Sequence, residues 1–200
     1  MIILSLTTTP PDMFKLGILL DDLIGKQTLK PDKVVVNIPS KYNSKTFAQR
    51  SIKLLPQSEN KNVIINTCTD SGPATKILGL LEAVKSSLIE IAPEDTVIFM
   101  NDNNYPTSLC EEYVNNFELI RDPNNTVLGV MGDDLCDKVD QSSHFGKTNM
   151  VRGCGSYAIT GANISKLEDI FAIHHFPEDL FYEDDVFVSN ILNRYFSIRV

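Results

Sequence analysis

The sequence predicts an α/β domain in which a Rossmann-like, mostly parallel sheet carries helices on both faces. Three observations carry that expectation. Short, almost wholly apolar runs recur, as strands buried on both sides require. They alternate four times with helical stretches at the spacing of βαβ units. Each run breaks off into Asn, Asp, Ser, Thr, Gly or Pro, the residues of turns.

Residues 2–6 (IILSL) form the first strand, closed by the turn-like Thr7-Thr8-Thr9-Pro10-Pro11-Asp12. Residues 13–25 follow with a broad apolar face (Phe14, Leu16, Ile18, Leu19, Leu20, Leu23, Ile24) compatible with a helix. The second strand is Val34–Ile38, entered by Pro31-Asp32 and closed by Pro39. The third is Asn62–Thr67, with Asp70-Ser71-Gly72-Pro73 as turn and cap. Ile77, Leu78, Leu80, Leu81, Val84 and Leu88 mark a long amphipathic helix from Ala74 to Ile91. A fourth strand over 96–100 leads to a helix from 107 to 120 behind Tyr105-Pro106. The second half is less regular: a strand over 126–131, a polar and acidic loop over 132–147, a strand or hairpin pair over 149–160, and helices over 163–172 and 185–195. Phe196–Val200 reads as a last strand, and a chain ending on it is expected to be cut from a longer polypeptide. The whole is read as one domain, 1–200, with a nucleotide-binding half over 1–106 and a half over 107–200 that supplies the other wall of a cleft.

Composition narrows the function classes. Two hundred residues suit one domain with a sizeable core, and 42% hydrophobic with 22% charged residues is the balance of a water-soluble globule. A net charge of -8 argues against a nucleic-acid surface, so an anionic ligand would need local compensation from a metal, lysines or helix N-termini. Cys68, Cys110, Cys136 and Cys154 form no CxxC pair and read as reduced thiols of a cytoplasmic protein. No segment approaches the roughly 20 apolar residues of a membrane span, and the N-terminal apolar run is too short for a signal peptide.

The most informative stretch is Thr96–Pro106, TVIFMNDNNYP. Its strand stops in Asn101, Asp102, Asn103 and Asn104, and in an open α/β sheet ligands bind beyond the carboxyl ends of strands. A carboxylate among amides there can hold a hard divalent cation and its phosphates, with Asp102 and Asn104 as ligands; a plain polar loop is the other reading. Two further strand ends should meet this edge. Thr7, Thr8 and Thr9 offer hydroxyls and backbone groups. Asp70 offers an acceptor for a base or ribose, or else caps the next helix. Lys76, one turn into that helix, offers a cation to a phosphate unless it lies on a solvated helix face. GPATK lacks the spacing of a phosphate loop.

Near the other end, Phe181-Tyr182 precedes Glu183-Asp184-Asp185 at the start of an amphipathic helix. Acids in a first turn are favoured by the macrodipole, but a carboxylate against an aromatic wall can also be tuned toward a general base. The stretch over 153–158 matches GxGxxA formally, yet its continuation favours a strand. Gly153 and Gly155 read better as places where a ligand approaches the backbone. His174-His175 before a Phe-Pro turn reads as structural.

In order along the chain, IILSLTTTP, QTLKPDKVVVNIP, DSGPATKILGLLE, VIFMNDNNYP, GCGSYAIT and EDDVFVSNIL resemble glycosyltransferases of the GT-A fold. The likeness is closest to small enzymes of bacteria and large algal viruses, among them a chlorella-virus-encoded glycosyltransferase domain. It implies a nucleotide-sugar donor, UDP-linked in the first instance, held through Mn²⁺ or Mg²⁺ at a DxD-type motif, and a glycan acceptor. The acceptor would be a viral glycan in a host cytoplasm if the viral likeness is close. The family commonly carries three Asp before two residues and a Tyr. Aligned on Tyr105, this chain has Met100-Asn101-Asp102, so the implied metal site is weak and donor-dependent, and Asp12 stands where an Arg often follows the first-strand proline. By position in the acidic motif Asp184, then Asp185, is the implied base, or in a retaining enzyme the group that stabilises an oxocarbenium-like species. A non-catalytic nucleotide- or glycan-binding module is the rival that the thinned acidic motif favours. A nucleotidyltransferase would be expected to carry a glycine-rich basic loop after the first strand, and TTTPPD is neither.

Overall fold

The computed structural model describes residues 1–8, 13–42, 45–46, 60–102, 105–129, 132–133, 150–151, 156–173 and 184–199. In chain order its elements are β1 (Ile2–Thr7), α1 (Met13–Gly25), β2 (Lys33–Pro39), β3 (Lys41–Tyr42), β4 (Lys45–Thr46), β5 (Val63–Cys68), α2 (Thr75–Lys85), β6 (Thr96–Met100), α3 (Leu109–Leu119), β7 (Thr126–Gly129), β8 (Gly132–Asp133), β9 (Met150–Val151), β10 (Ser156–Thr160), α4 (Ile164–Ile173), α5 (Asp184–Tyr195) and β11 (Ser197–Arg199). Seven strands form one sheet in the order β11-β7-β10-β6-β1-β2-β5. Strands β5, β2, β1 and β6 run parallel, β11 runs parallel to β7, and β10 alone is antiparallel to its neighbours β6 and β7.

The apolar runs form strands because both of their faces are covered. Alternate residues point to opposite faces. Ile3, Val35, Val97 and Phe99 therefore join one core with the buried side chains of α2, α4 and α5. Leu4, Leu6, Val34, Val36, Ile98 and Met100 join the other with α1 and α3. Helix α1 alone buries Leu16, Leu19, Leu20 and Leu23, at roughly 1.5–3 kcal/mol for each fully buried side chain. The α2 face carries a polar seam where apolar residues end. Asn37 donates to Ser5 Oγ (2.9 Å) and to the Leu6 carbonyl (3.1 Å), and Asn66 donates to Asn37 Oδ1 (2.9 Å) and to the Gly79 carbonyl (2.7 Å). Ser5 in turn donates to the Lys76 carbonyl at 2.5 Å. The seam ties α2 to three neighbouring strands without an unsatisfied polar group at its centre.

Helix α2 ends at Lys85, six residues short of the Ile91 its apolar spacing predicts. Ser87 adopts a left-handed backbone, φ 58°. Its N–H donates to the Val84 carbonyl and that of Leu88 to Ala83, both at 2.9 Å, which closes the helix as a Schellman motif with serine where glycine is usual. Leu88, expected on the apolar face, is exposed as a result. The second half also differs. Met150–Val151 pairs with Gly132–Asp133 rather than with the strand that follows it, and that strand inserts between β6 and β7. The region 134–149 lies outside the described residues, as do His174-His175, Cys136 and Cys154.

Cys68 and Cys110 are free and buried, and burial pushes both thiols up to about 12. The unfolded chain ionises such thiols from about pH 8.5, so above that it holds fewer protons than the folded chain. Stability is then fully present below the unfolded value and falls as pH rises toward 12, by up to about 1.4 kcal/mol per pH unit for each thiol. Urea unfolding between pH 8 and 10.5 should show a shallower fall in the Cys68→Ala/Cys110→Ala variant than in the parent. Equal slopes would show that neither thiol resists ionisation.

Candidate active site

The sheet order reverses at β1: β2 lies on one side of it and β6 on the other. Crossovers leaving to opposite sides open a crevice beyond the carboxyl ends of β1 and β6. In the parallel register Leu6 faces Met100. Two more residues on each strand bring Thr8 opposite Asp102, and there Thr8 Oγ1 donates to Asp102 Oδ2 at 3.0 Å. Thr8 is buried and Asp102 half-buried, so the bond fixes the orientation of a carboxylate that still reaches solvent.

Asn101 holds the strand side of this loop. Its N–H donates to the Tyr105 hydroxyl (2.9 Å), across the turn that Tyr105-Pro106 makes. Its side-chain oxygen accepts from Lys76 Nζ at 3.1 Å. Lys76 is fully buried, with its ammonium 5.8 Å from the centre of the Tyr157 ring, inside cation–π range. The reading of Lys76 as a solvated helix face is therefore corrected. Helix α2 packs on one face of the sheet, and the Lys76 side chain reaches Asn101 at the end of β6 rather than water. Beyond the turn, Gln27 donates to the Pro106 carbonyl (3.0 Å) and accepts from the Cys110 N–H (3.2 Å), pinning the start of α3.

The other expected residues divide as follows. Thr7 spends its hydroxyl on the Asn37 carbonyl of β2 (3.1 Å), which closes the strand end. Asp70 stands at the end of β5, and at about 4.8 Å per strand that is roughly 14 Å from β6. Its carboxylate accepts from the Gly72 N–H (3.1 Å), a turn that needs the positive φ of 58° only glycine adopts freely. It does not cap α2, whose N-cap is Ala74. Thr9, Asn104, Gly153 and Gly155 lie outside the described residues. Ser156, just after those glycines, pairs with Met100 at the end of β6 and shares a hydrogen bond with Tyr113 (2.9 Å). Asp184 and Asp185 are the first two residues of α5, and their side chains lie outside the described set.

Sequence reasoning did not single out Ser5, Asn37 or Asn66, and read Tyr105 only as a turn residue and a landmark for the acidic motif. The signal for the first three was a polar residue inside an otherwise apolar strand, each on the face that meets α2. Among the described residues, no group of three His, Cys, Asp or Glu side chains could hold a metal. A cation at this edge would rest on Asp102 as its carboxylate ligand, and phosphate oxygens would complete its shell.

No protein-family model matches the sequence, and no curated protein matches it. Among solved structures the chain is similar to the galactosyltransferase LgtC in complex with donor and acceptor sugar analogues, with a TM-score of 0.56 and 11% identity over 100% of this chain and 72% of that one. It is similar to TarS 1–349 of S. aureus, with a TM-score of 0.60 and 16% identity over 98% of this chain and 57% of that one. The same TarS fragment in complex with UDP gives a TM-score of 0.57 at 16% identity. The chain thus spans little more than half the length of the TarS fragment. No helix among the described residues is long and apolar enough to cross a membrane. The seven-stranded, mostly parallel sheet with helices on both faces is the GT-A fold of the glycosyltransferases.

Proposed function

We propose that the chain is a glycosyltransferase that moves a sugar, hexosyl or deoxyhexosyl, from a UDP-linked donor to a glycan acceptor. The observation that carries this reading is the Thr8–Asp102 bond across the crevice of a GT-A sheet. Residues 1–106 would bind the donor, with its phosphates near Asp102 and Thr8, on the loop that Asn101 opens, and its base or ribose toward Asp70. Residues 107–200 would receive the acceptor, with Gly153 and Gly155 letting a ligand close to the backbone. Likeness of the motifs to algal-virus enzymes makes a viral glycan, built in a host cytoplasm, the acceptor to test first.

Breaking a sugar–phosphate bond leaves a nucleoside diphosphate whose charge grows in the transition state, and positive charge at the crevice stabilises it. Mn²⁺ or Mg²⁺, bound through Asp102 and Asn104 together with the donor phosphates, would supply that charge. With one described carboxylate its affinity for the free protein would be low. Asp102 orients the diphosphate end, Thr8 holds Asp102, and the acceptor hydroxyl must give up its proton on the opposite side. Asp184, with Asp185 next, is the proposed base for that proton, as inversion at the anomeric carbon requires. Retention would use the same carboxylate to stabilise positive charge on the sugar.

The test is a panel of UDP-, GDP- and dTDP-sugars, each with Mn²⁺ and with chelator, scored for binding and for sugar release with and without glycan acceptors. UDP-sugar binding with turnover supports the reading, and binding without turnover favours a non-catalytic module. Asp102→Ala should weaken Mn²⁺-dependent donor binding by about tenfold or more, the loss of one charge-assisted ligand. Unchanged binding would remove Asp102 from the site.

A further inference from the structure

We propose that Lys76 is a positioning residue of this site, holding Asn101 and through it the loop that carries Asp102, rather than a residue that meets the donor. The inference rests on the donor reading above and assigns Lys76 a different task from the phosphate contact that its sequence position suggests.

The geometry gives the lysine a fixed base and a directed contact from its tip to Asn101. Its carbonyl accepts from Ser5 Oγ at 2.5 Å, and Ser5 belongs to the seam with Asn37 and Asn66 that clamps α2 to the sheet. Its Nζ donates to Asn101 Oδ1 at 3.1 Å over the Tyr157 ring, and Tyr157 packs on Phe99 with ring centres 5.4 Å apart. Asn101 also donates its N–H to Tyr105, and Gln27 secures Pro106 on the far side. The turn from Asn101 to Pro106 is thus held at both ends, and Asp102 is handed to Thr8 within it. At 0% exposure Lys76 presents no open surface to a phosphate.

Apolar burial alone gives no reason for a cation here. A buried ammonium carries a desolvation penalty that a thioether of similar volume avoids, and apolar replacement of buried charges is often neutral or stabilising. Helix α2 keeps its hold on the sheet through Ala74, Ile77, Leu80, Leu81 and Ala83, all buried, and through the seam. What methionine cannot do is donate to Asn101.

Two readouts test this on the full chain. Amide hydrogen exchange needs no ligand: in Lys76→Met the amides of Asn101 and Asp102 should exchange about tenfold faster, with those of Val97–Phe99 within about twofold of the parent. Asn101→Leu removes the same bond from the other partner at a half-buried position, and so covers the case in which Lys76→Met fails to fold. Calorimetry with UDP and Mn²⁺ then completes a double-mutant cycle. Each single variant should lose about fivefold in affinity and the double variant no more than either, because one bond is removed twice. Melting temperatures equal to or above the parent's in Lys76→Met would separate positioning from a structural role. Unchanged exchange at Asn101 and Asp102 overturns the proposal. So does multiplying loss in the double variant, the signature of Lys76 meeting the nucleotide directly. Should the parent bind no UDP, the donor reading fails, and the positioning role stands or falls on exchange alone.

Discussion

Gly161→Ala is expected to lower the free energy of unfolding by about 3–5 kcal/mol, a large share of the total for a domain of this size. A Cβ built on Gly161 would lie 1.9 Å from the Ala92 carbonyl oxygen and 3.0 Å from its carbon. Overpacking commonly costs about 1–3 kcal/mol when a side chain can turn aside, but here the obstacle is backbone, fixed on both sides. The Gly161 N–H donates to the Asp95 carbonyl (2.7 Å) and that of Ala162 to Pro93 (2.9 Å). The Asp95 carboxylate accepts from the Ala92 N–H (2.7 Å) and pairs with the Met1 ammonium (2.5 Å). Relief would therefore mean breaking the clamp at the start of β6 and the end of β10, the antiparallel pair that seats next to the crevice. Gly25→Ala is the control, because nothing lies within 4 Å of its added Cβ. Urea unfolding reads both, and a Gly161→Ala value within about 1 kcal/mol of the parent would show that the turn yields.

The strands of the parallel half of the sheet were legible because buried parallel strands advertise themselves. Each is an unbroken apolar run closed by turn residues, and α1 spans Met13–Gly25 as its apolar face predicts. Local pattern failed where backbone or distant packing decides. Leu88, Ile89 and Ile91 continue the apolar rhythm of α2, but Ser87 turns left-handed and the helix stops first. The place of β10 depends on β7 partners about 30 residues away, such as Leu128, and on β6 partners farther still, Met100 and Phe99 among them, and no periodicity encodes that. The site shows the same division. That Thr8 and Asp102 share an edge follows from strand–helix alternation, so it could be read in advance. That Lys76 is buried and donates to Asn101 could not, because spacing identifies the apolar side of a helix but not where its first turn meets the sheet. Asp70 stands three strands from β6 and accepts from the Gly72 N–H of its own turn, a spacing that sequence alone does not give.

Asp184→Asn is expected to lower sugar transfer by about 10²–10⁴-fold, the usual worth of a general base, with donor affinity and melting temperature close to the parent's. An acid opens α5 for one of two reasons, and this substitution separates them. A carboxylate in a first helical turn interacts with the macrodipole for about 0.3–1 kcal/mol, and asparagine at a helix start caps nearly as well as aspartate. Removal of a purely structural acid would then cost little in stability and nothing in turnover. A base has no such substitute, because an amide cannot take the acceptor's proton. The rest of the helix keeps its place without the charge: Val188, Ile191 and Leu192 are buried in the core that also holds Ile77 of α2, Phe99 of β6 and Tyr157 of β10. Loss of transfer with intact binding and melting therefore assigns chemistry to Asp184. If the loss follows Asp185→Asn instead, the base is one residue further on. Turnover that survives both substitutions would leave these acids to the helix dipole and would move the search for the base to another part of the 107–200 half.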